Sequence, residues 1–386
     1  MTESSAPRNM RIGIVCYPTF GGSGVVATEL GKALADQGHE IHFITYDQPA
    51  RLGSFHANVF YHEVRVSDYP LFDYPPYELV LASKMVEVVR QHGLDLIHAH
   101  YAIPHASAAY TARAILREEG LRVPYITTLH GTDITLLGRD PSFKPVISFA
   151  INQSDAVTAV SNSLKEDTEA LFEVKRDIDV IHNFFCPSHF AIPVKEDLRA
   201  SLAPEGEPII THISNFRPLK RVPDVVRAFA AVRAERPAKL LFIGDGPERH
   251  AAETLCEELG VQRDTYFLGK VKNPIEALLI SDLFMLPSES ESFGLSALEA
   301  MAAGVPVVAS NAGGISEVVE DGVAGMLCPV GDVAALAAAC LDILGSPARL
   351  EQFSLQALDS ANRFHIQRIL PQYERVYARA LAARNS

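Results

Sequence analysis

The sequence predicts two consecutive α/β domains, each built on a parallel sheet. At 386 residues the chain exceeds what one hydrophobic core usually covers. Short β-branched runs alternate with longer helical patterns, which is typical of parallel α/β units. The alternation stops at residues 183–196 (NFFCPSHFAIPVKE), where two prolines and no clear period indicate a linker, and then restarts. We therefore expect two Rossmann-like domains that face each other across a cleft.

The first half of the chain supplies seven strand patterns and five helix patterns. Strands are predicted at 12–16, 41–45, 59–66, 94–98, 125–129, 156–160 and 179–182. Helices are predicted at 24–37, 77–91, 105–119, 143–153 and 162–172. This order of elements predicts an N-terminal domain over residues 1–185.

The second half repeats the alternation. Strands are predicted at 209–213, 239–243, 265–268, 283–286, 305–309 and 325–328. Helices are predicted at 222–235, 247–259, 275–281, 295–303, 315–320 and 333–344. We expect a second domain over residues 196–363. The final segment, 364–386, predicts a long amphipathic helix that packs back onto the first domain.

Composition and charge exclude several classes of protein. The formal net charge of −13 argues against a sequence-independent nucleic-acid binder, which needs a basic face. The sequence contains no run of 18 apolar residues, so we expect no membrane span, and the N-terminal residues do not have the pattern of a signal peptide. The five cysteines are scattered and form no C-x-x-C pair, which is typical of reduced thiols in a cytosolic protein. We expect the protein to be cytoplasmic. The sequence leaves open whether it forms a homodimer.

The first glycine-rich turn, residues 22–27 (GSGVVA), matches a dinucleotide-binding fingerprint, and Asp47 lies 20 residues beyond it. A nicotinamide or flavin oxidoreductase is therefore one alternative. Residues 17–20 make the loop longer than in that fingerprint, so its backbone N–H groups could instead approach a phosphate or a sugar. A third alternative is that the glycines only begin a helix.

The most specific stretch runs from residue 287 to residue 309 (PSESESFGLSALEAMAAGVPVVA). A strand is predicted to end at Pro287, a turn with glycine follows, and a helix begins near Leu295. Unpaired N–H groups at that helix start suit a diphosphate. Glu291 in the turn could accept hydrogen bonds from sugar hydroxyls, and Glu299 within the helix could accept them from a ribose. The plainer alternative is that Glu291 is a surface charge and Glu299 an ordinary helix residue.

With its neighbours, this stretch resembles the E-x7-E signature of glycosyltransferase family 4, the retaining enzymes of the GT-B fold. Residues 244–248 (GDGPE) and 311–317 (NAGGISE) each follow a predicted strand and extend the resemblance. It covers essentially the whole chain, with the motifs in the same order. The resemblance implies a hexosyltransferase that needs no metal or other cofactor.

The resemblance also implies roles for the matched residues. Lys220 would neutralise the diphosphate, Glu299 would hold the ribose, the backbone around Val271 would contact the uracil, and His130 would contact the hydroxymethyl group of the donor sugar. The implied catalytic residues are Lys220, Glu291 and His130. The implied donor-binding residues are Gly22, Ser23, Asn215, Arg217, Lys220, Asp245, Val271, Glu291, Ser292, Phe293, Gly294, Leu295 and Glu299. The sequence departs from the family at Asn215, where an arginine is usual, and carries Arg217 instead.

Three stretches narrow the resemblance to family members with a small acceptor: residues 16–31, 98–105 and 129–135. They resemble enzymes of bacillithiol biosynthesis that join N-acetylglucosamine from UDP-N-acetylglucosamine to L-malate. The expected acceptor-binding residues are Ser23, Tyr101, Thr132 and Asn162. No residue stands out as a general base. The resemblance implies a substrate-assisted mechanism, in which the departing phosphate takes the acceptor proton. Related acceptors, such as inositol phosphate, remain the alternative.

Two patterns resemble metal sites. His98 and His100 lie on one side of a predicted strand end, but no carboxylate or cysteine completes a ligand set, so packing or sugar-contacting histidines are the plainer interpretation. Asp177 and Asp179 form a D-x-D pattern within a charged turn, which we interpret as solvated surface. We therefore expect no catalytic metal.

Overall fold

The structure is a computed structural model, and it describes residues 9–53, 56–66 and 74–384. Residues 1–8, where the sequence predicts no signal peptide, lie outside the described residues, as do the last two residues of the predicted C-terminal helix. The chain divides into two compact units. The first unit comprises Met1–Asn183 with Ile366–Ser386, and the second comprises Phe184–His365.

The first unit is a seven-stranded parallel sheet covered by helices. Its strands are β1 (Arg11–Val15), β2 (Glu40–Thr45), β3 (Val59–Glu63), β4 (Leu96–His100), β5 (Tyr125–Leu129), β6 (Ala156–Ala159) and β7 (Ile178–Val180). Its helices are α1 (Gly22–Asp36), α2 (Tyr77–His92), α3 (Ser107–Glu118), α4 (Lys144–Gln153), α5 (Asn162–Leu171) and the C-terminal α14 (Ile366–Arg384).

The second unit is a six-stranded parallel sheet with its own core. Its strands are β8 (Ile209–Ile213), β9 (Lys239–Ile243), β10 (Thr265–Phe267), β11 (Leu283–Leu286), β12 (Val307–Ser310) and β13 (Gly325–Cys328). Its helices are α6 (Glu196–Leu202), α7 (Val222–Glu235), α8 (Arg249–Glu258), α9 (Ile275–Leu278), α10 (Leu295–Ala302), α11 (Ile315–Val318), α12 (Val333–Ile343) and α13 (Pro347–Ala361).

Both sheets are doubly wound. The strand orders are β3-β2-β1-β4-β5-β6-β7 and β10-β9-β8-β11-β12-β13, with every neighbouring pair parallel. The order reverses beside β1 in the first sheet and beside β8 in the second. In open parallel sheets, ligands bind beyond the carboxyl ends of the strands at such reversals. The predicted fold class of two parallel α/β domains is confirmed.

The boundary between the units differs from the predicted one. The sequence predicts that the first domain ends at residue 185, but Phe184 and Phe185 belong to the second unit. Both rings are buried, which an exposed linker would not allow. The Phe185 N–H donates to the carbonyl of Phe364 at 3.1 Å, and the Phe185 ring packs edge-on against Phe190. The second unit thus begins within the segment that the sequence predicts as linker.

The C-terminal helix α14 belongs to the first unit. Tyr373 and Tyr377 are fully buried on its inner face, and the Tyr377 hydroxyl lies 2.8 Å from Nδ1 of His98 on β4. At the exposed side, Arg379 forms an ion pair with Asp179. These contacts explain why the last helix and the first sheet form one core, although about 180 residues separate them in sequence.

Two helices of the second unit were not predicted from the sequence, α6 and α13. Helix α13 begins with a clear signal, since the Ser346 hydroxyl accepts from the N–H of Arg349 and Pro347 follows the cap. Within the described ranges, no single helix is long and apolar enough to cross a membrane. One pair, Val333–Ile343 with Pro347–Phe364, has the length and composition together but bends by 103°.

Candidate functional site

The second unit brings Lys220 and Glu291 together at the carboxyl ends of β8 and β11. The Lys220 ammonium donates to Glu291 Oε1 at 2.5 Å, and the Ser288 hydroxyl donates to the same oxygen at 2.7 Å. Only 19% of the Lys220 side chain and 11% of the Glu291 side chain are exposed. Glu291 is therefore a paired, largely buried carboxylate, and the interpretation of it as a free surface charge is wrong.

A tight turn after β12 holds the Glu291 loop in place. The carbonyl of Glu291 accepts from the N–H of Gly314 at 2.8 Å. Gly313 has a φ of +59°, and a Cβ atom there would lie 2.2 Å from that carbonyl oxygen. Only glycine fits without displacing the backbone of Glu291. The glycine-rich motif at 311–317 thus positions the predicted donor-binding carboxylate.

Helix α10 follows the Glu291 loop as predicted. Gly294 precedes its first residue, Leu295, and Glu299 lies on the buried side with 8% exposure. Phe293 is buried, with its ring 5.6 Å from that of Phe364. The Phe293 side chain is therefore part of the core, so only the backbone of this residue can contact a ligand. Ser292 is half-buried beside it.

Four other predicted donor residues lie in loops beyond β8, β9 and β10. Asn215 and Arg217 are exposed in the segment that leads to Lys220. Asp245 is half-buried and accepts from the N–H of Gly246 at 2.9 Å. The side chain of Val271 packs against a small core cluster of the second unit. These loops end at the same edge of the sheet as Lys220 and Glu291, because all six strands are parallel.

In the first unit, the loop before α1 folds back on its glycines. Gly22 is the exposed first residue of α1, and Ser23 is half-buried beside it. A Cβ atom on Gly24 would lie 2.4 Å from the carbonyl of Thr19 and 2.5 Å from that of Tyr17. Gly24 is therefore needed for the close approach of this loop to the helix start. The longer loop seen in the sequence has a definite shape.

The structure joins three of the four predicted acceptor residues. The Tyr101 hydroxyl donates to Ser23 Oγ at 2.8 Å and also interacts with the Thr132 side chain. Burial raises the pKa of Tyr101 to about 12, so its hydroxyl keeps its proton and remains a donor at neutral pH. Thr132 is exposed beside it. Asn162, the fourth, is an exposed residue at the start of α5.

His130 lies at the end of β5 in a chain of imidazoles. Its Nε2 is 2.8 Å from Nδ1 of the fully buried His100, and its ring centroid is 5.2 Å from that of Tyr101. Burial lowers the pKa of His130 to about 3, so the ring is neutral at pH 7. Because Nε2 of His130 is engaged with His100, the neutral ring can offer its other nitrogen, Nδ1, to a hydroxyl group.

Asp133 is the main residue of this region that the sequence analysis missed. Its carboxylate is fully buried and accepts from the N–H groups of Ala102 at 2.9 Å and Gly131 at 3.1 Å. It thereby ties the loop after β4 to the loop after β5, where Tyr101 and His130 lie. Burial raises its pKa to about 6. The only indication of Asp133 in the sequence was its position within residues 129–135, one of the stretches that carry the resemblance.

The patterns that resemble metal sites have other roles. The sequence places His98 at a strand end, but β4 extends to His100, so both side chains are fully buried within the sheet. His98 contacts Tyr377 and also Thr128, whose Oγ1 lies 2.7 Å from Nε2. Asp179 pairs with Arg379. The two histidines pack within the sheet, as the plainer interpretation has it, whereas Asp179 is half-buried on β7 and ion-paired rather than part of a solvated turn.

Two family models match consecutive parts of the chain. The model of Glycosyltransferase Family 4 matches residues 20–188, and the model of Glycosyl transferases group 1 matches residues 194–359. The Gly22 turn and the Glu291 stretch fall inside these matches. The oxidoreductase alternative for the Gly22 turn is therefore not supported.

Similar proteins extend over nearly the whole chain. The N-acetyl-alpha-D-glucosaminyl L-malate synthase of Bacillus anthracis is 48% identical over 370 residues, which cover 95% of this chain and 96% of that protein. The D-inositol 3-phosphate glycosyltransferase of Nocardia farcinica is 29% identical over 377 residues, covering 89% and 81%. Among solved structures, Anabaena HepE in complex with UDP and glucose has a TM-score of 0.78 at 22% identity, covering 96% and 100%. That likeness confirms the predicted GT-B fold. With two matched models and a relative 48% identical along nearly all of it, the chain belongs to glycosyltransferase family 4 and is an enzyme that transfers glycosyl groups.

Proposed function

We propose that this enzyme transfers N-acetylglucosamine from UDP-N-acetylglucosamine to the hydroxyl group of L-malate, with retention at the anomeric carbon. The observation that carries the proposal is the 48% identity, over 95% of the chain, to the Bacillus anthracis protein whose name states this product. Such a product belongs to bacillithiol biosynthesis, as the sequence resemblance implies.

The second unit supplies groups suited to a nucleotide sugar. Lys220 places a cation among loops at the carboxyl edge of the sheet, where it can neutralise a diphosphate. The N–H groups at the start of α10 add donors at the positive end of a helix. Glu291 and Glu299 are acceptors for sugar and ribose hydroxyls, and both are largely buried. The relation to HepE, whose complex contains UDP, agrees with this use of the fold.

The first unit supplies hydroxyl donors suited to a small dicarboxylate. Ser23, Tyr101 and Thr132 lie together, with Tyr101 protonated at neutral pH. Hydroxyl groups can bind both carboxylates of malate without carrying charge of their own. His130, kept neutral by burial, is suited to a sugar hydroxyl rather than to the dianion. Asn162, an exposed residue at the start of α5, is the fourth proposed contact, because its side-chain amide can donate to a dianionic acceptor.

The proposed chemistry requires no general base from the protein. The bond between the anomeric carbon and the β-phosphate oxygen breaks, and the malate hydroxyl oxygen forms its bond to that carbon on the same face. The hydroxyl proton passes to the departing phosphate oxygen, so UDP leaves with the proton. Lys220 stabilises the negative charge that develops on the leaving group. Catalysis then depends on positioning and charge stabilisation.

The test is an incubation of the purified protein with UDP-N-acetylglucosamine and one acceptor at a time, without added metal. The acceptors are L-malate, D-malate and inositol 1-phosphate, with an acceptor-free control. UDP release and product mass are read together, and the anomeric configuration is read from the proton coupling constant in NMR. We expect release only with L-malate, with the mass of an N-acetylglucosaminyl-malate adduct of α configuration.

Other outcomes separate the parts of the proposal. Release with inositol 1-phosphate alone would contradict the malate assignment and favour an acceptor like that named for the Nocardia relative. A β-configured product would contradict retention. If no acceptor supports release, UDP-glucose replaces the donor. Sedimentation of the same preparation tests whether the enzyme is a monomer or a homodimer.

A further inference from the structure

A cluster of three histidines lies at one end of the first sheet, outside every residue assigned above. His42 is on β2, His62 is on the end strand β3, and His92 is the last residue of α2. In the parallel register, His42 pairs with Phe60, and His62 lies two residues beyond Phe60 on the same strand. Because side chains two residues apart on a strand point to the same side, His42 and His62 share one face of the sheet. His42 is fully buried, and the other two are half-buried.

The three imidazoles converge. Nδ1 of His42 lies 2.8 Å from Nε2 of His62, and one nitrogen from each ring falls within 4.8 Å of the other two. The ring centroid of His92 is 4.6 Å from that of His42 and 5.0 Å from that of His62. Three nitrogens around a tetrahedral zinc ion are roughly 3.3 Å apart for bonds of about 2.0 Å. Shifts of an ångström or so would bring the cluster to that geometry.

The other nitrogen of His42 already has the partner that a metal-binding histidine usually has. Nε2 of His42 lies 2.9 Å from Oε1 of Glu40, on the same strand. A carboxylate on the second ring nitrogen fixes the tautomer that leaves the first nitrogen free to bind a metal, and it increases the basicity of the ring. Nδ1 of His42 is the nitrogen that points into the cluster.

The surroundings fit a cation at this position. His92 ends α2, where the helix dipole is negative. The ring of Phe60 stacks on His42 at 5.0 Å and covers one side of the cluster. The nearby charges are in two pairs: Arg11 with Glu40 at 3.7 Å, and Lys84 with Glu87 at 2.7 Å. The half-buried rings of His62 and His92 leave a route for an ion from solvent.

We propose that His42, His62 and His92 form a binding site for a late first-row divalent metal ion such as Zn²⁺. Three neutral imidazoles suit Zn²⁺, Ni²⁺ and Cu²⁺ better than Mg²⁺ or Ca²⁺, which prefer oxygen ligands. The ion would replace the proton shared between His42 and His62 and would join the end strand β3 to β2 and α2. The site is independent of the proposed transfer reaction and supplies no group to it.

The test is calorimetric titration of Zn²⁺ into the untagged full chain after treatment with a chelator, with Mg²⁺ as the comparison ion. We expect one Zn²⁺ per chain and no Mg²⁺ binding. Changes outside the ligand set of a metal site typically cost about 10–100-fold in affinity. We expect that loss for Glu40→Gln, and a larger one for His62→Gln and for His92→Gln. The exposed His250 provides the control, and His250→Gln should bind as the wild type does.

A second readout separates a ligand role from a structural one. Co²⁺ bound by three imidazoles and water gives visible absorption bands, which should appear in the wild type and in His250→Gln and be lost in both ligand variants. Far-UV circular dichroism checks that each variant is folded. Stoichiometric Zn²⁺ binding that survives in a folded His62→Gln, His92→Gln double variant would overturn the proposal. Absence of binding to the wild type would do the same.

Discussion

The ammonium group of Lys220 lies 2.5 Å from Oε1 of Glu291, and the two side chains come from loops 71 residues apart in sequence. The pair is at the carboxyl edge of the second sheet and largely buried. Glu291 therefore balances the charge of Lys220 before a donor binds and holds the ammonium where the loops after β8 and β11 meet. A bound diphosphate would compete for the same cation.

We expect Lys220→Ala to lower kcat/KM for transfer by about 10²–10³-fold, the range measured when one donor that stabilises developing negative charge is removed. The loss should appear mainly in kcat, because the charge on the leaving group is greatest in the transition state. Lys175→Ala removes an exposed lysine of the first unit and should leave kcat/KM unchanged. A near-normal value for Lys220→Ala would remove Lys220 from the diphosphate site.

Glu299→Ala should weaken UDP binding, because the buried carboxylate is the expected partner of the ribose hydroxyls. Hydrogen bonds to a charged group contribute about 1.5–3 kcal/mol, so the dissociation constant should rise by about 10–150-fold. Calorimetric titration with UDP measures it. Glu258→Ala changes an exposed glutamate of α8 and serves as the control. Unchanged UDP affinity in Glu299→Ala would count against the ribose role.

Gly313→Ala and Gly304→Ala form a matched pair. Both glycines have positive φ, +59° and +75°, so alanine strains the backbone at either position. A Cβ atom at 313 would also lie 2.2 Å from the carbonyl oxygen of Glu291, whereas at 304 it meets nothing within 4 Å. Left-handed strain alone costs roughly 1–2 kcal/mol. We expect both variants to lose thermal stability, and Gly313→Ala alone to lose UDP affinity as the Glu291 loop shifts. Equal UDP affinities would show that the turn does not position Glu291.

Much of the fold was predictable because its signals are local. The strand and helix patterns follow from hydrophobic period, and the 287–309 stretch indicated a turn and a helix that the structure has. The boundary between the two units was not predictable, because Phe185 is held by contacts with Phe364 and His365, which are distant in sequence. Strand β4 was predicted two residues too early, at 94–98 instead of 96–100, because the contact that holds His98 inside the sheet is made with Tyr377, which is distant in sequence.

The candidate site was predictable as a set of residues but not as a geometry. Spacing indicated Glu291 and Glu299, yet the pairing of Glu291 with Lys220 depends on a contact between separate loops. Asp133 was missed for the same reason, since its partners Ala102 and Gly131 come from two loops. The histidine cluster of β2, β3 and α2 has no sequence spacing that would indicate it, because each ligand lies on a different element.

Chelation should leave transfer intact. In the proposed mechanism Lys220 and the start of α10 stabilise the diphosphate, so excess EDTA should change neither kcat nor KM, and added Mg²⁺ should have no effect. The Zn²⁺ site proposed at His42, His62 and His92 does not alter this expectation, because it lies apart from the residues assigned to the reaction. Loss of activity with EDTA that Mg²⁺ or Mn²⁺ restores would contradict the metal-free mechanism.

The buried histidine His98 should make the first unit sensitive to acid. Burial lowers its pKa to about 3, whereas the unfolded chain has a value near 6.5. Between these values the unfolded state binds a proton that the folded state does not, so the stability that the neutral ring contributes is present above pH 6.5 and is lost as the pH falls toward 3. One such group loses about 2 kcal/mol between pH 6.5 and pH 5.0 at about 1.4 kcal/mol per pH unit.

His98→Gln tests this coupling by thermal unfolding at pH 7.5 and pH 5.0. At pH 7.5 the variant should be less stable than the wild type, because contacts with Tyr377 and Thr128 are weakened. Its Tm should nevertheless fall less on acidification, by about 4–8 °C for a unit of this size. His250→Gln removes an exposed ring and should keep the full wild-type fall. If the Tm of His98→Gln falls as steeply as that of the wild type, the acid sensitivity comes from other buried histidines, among them His42, His100, His105 and His130, and not from the ring that holds α14 against β4.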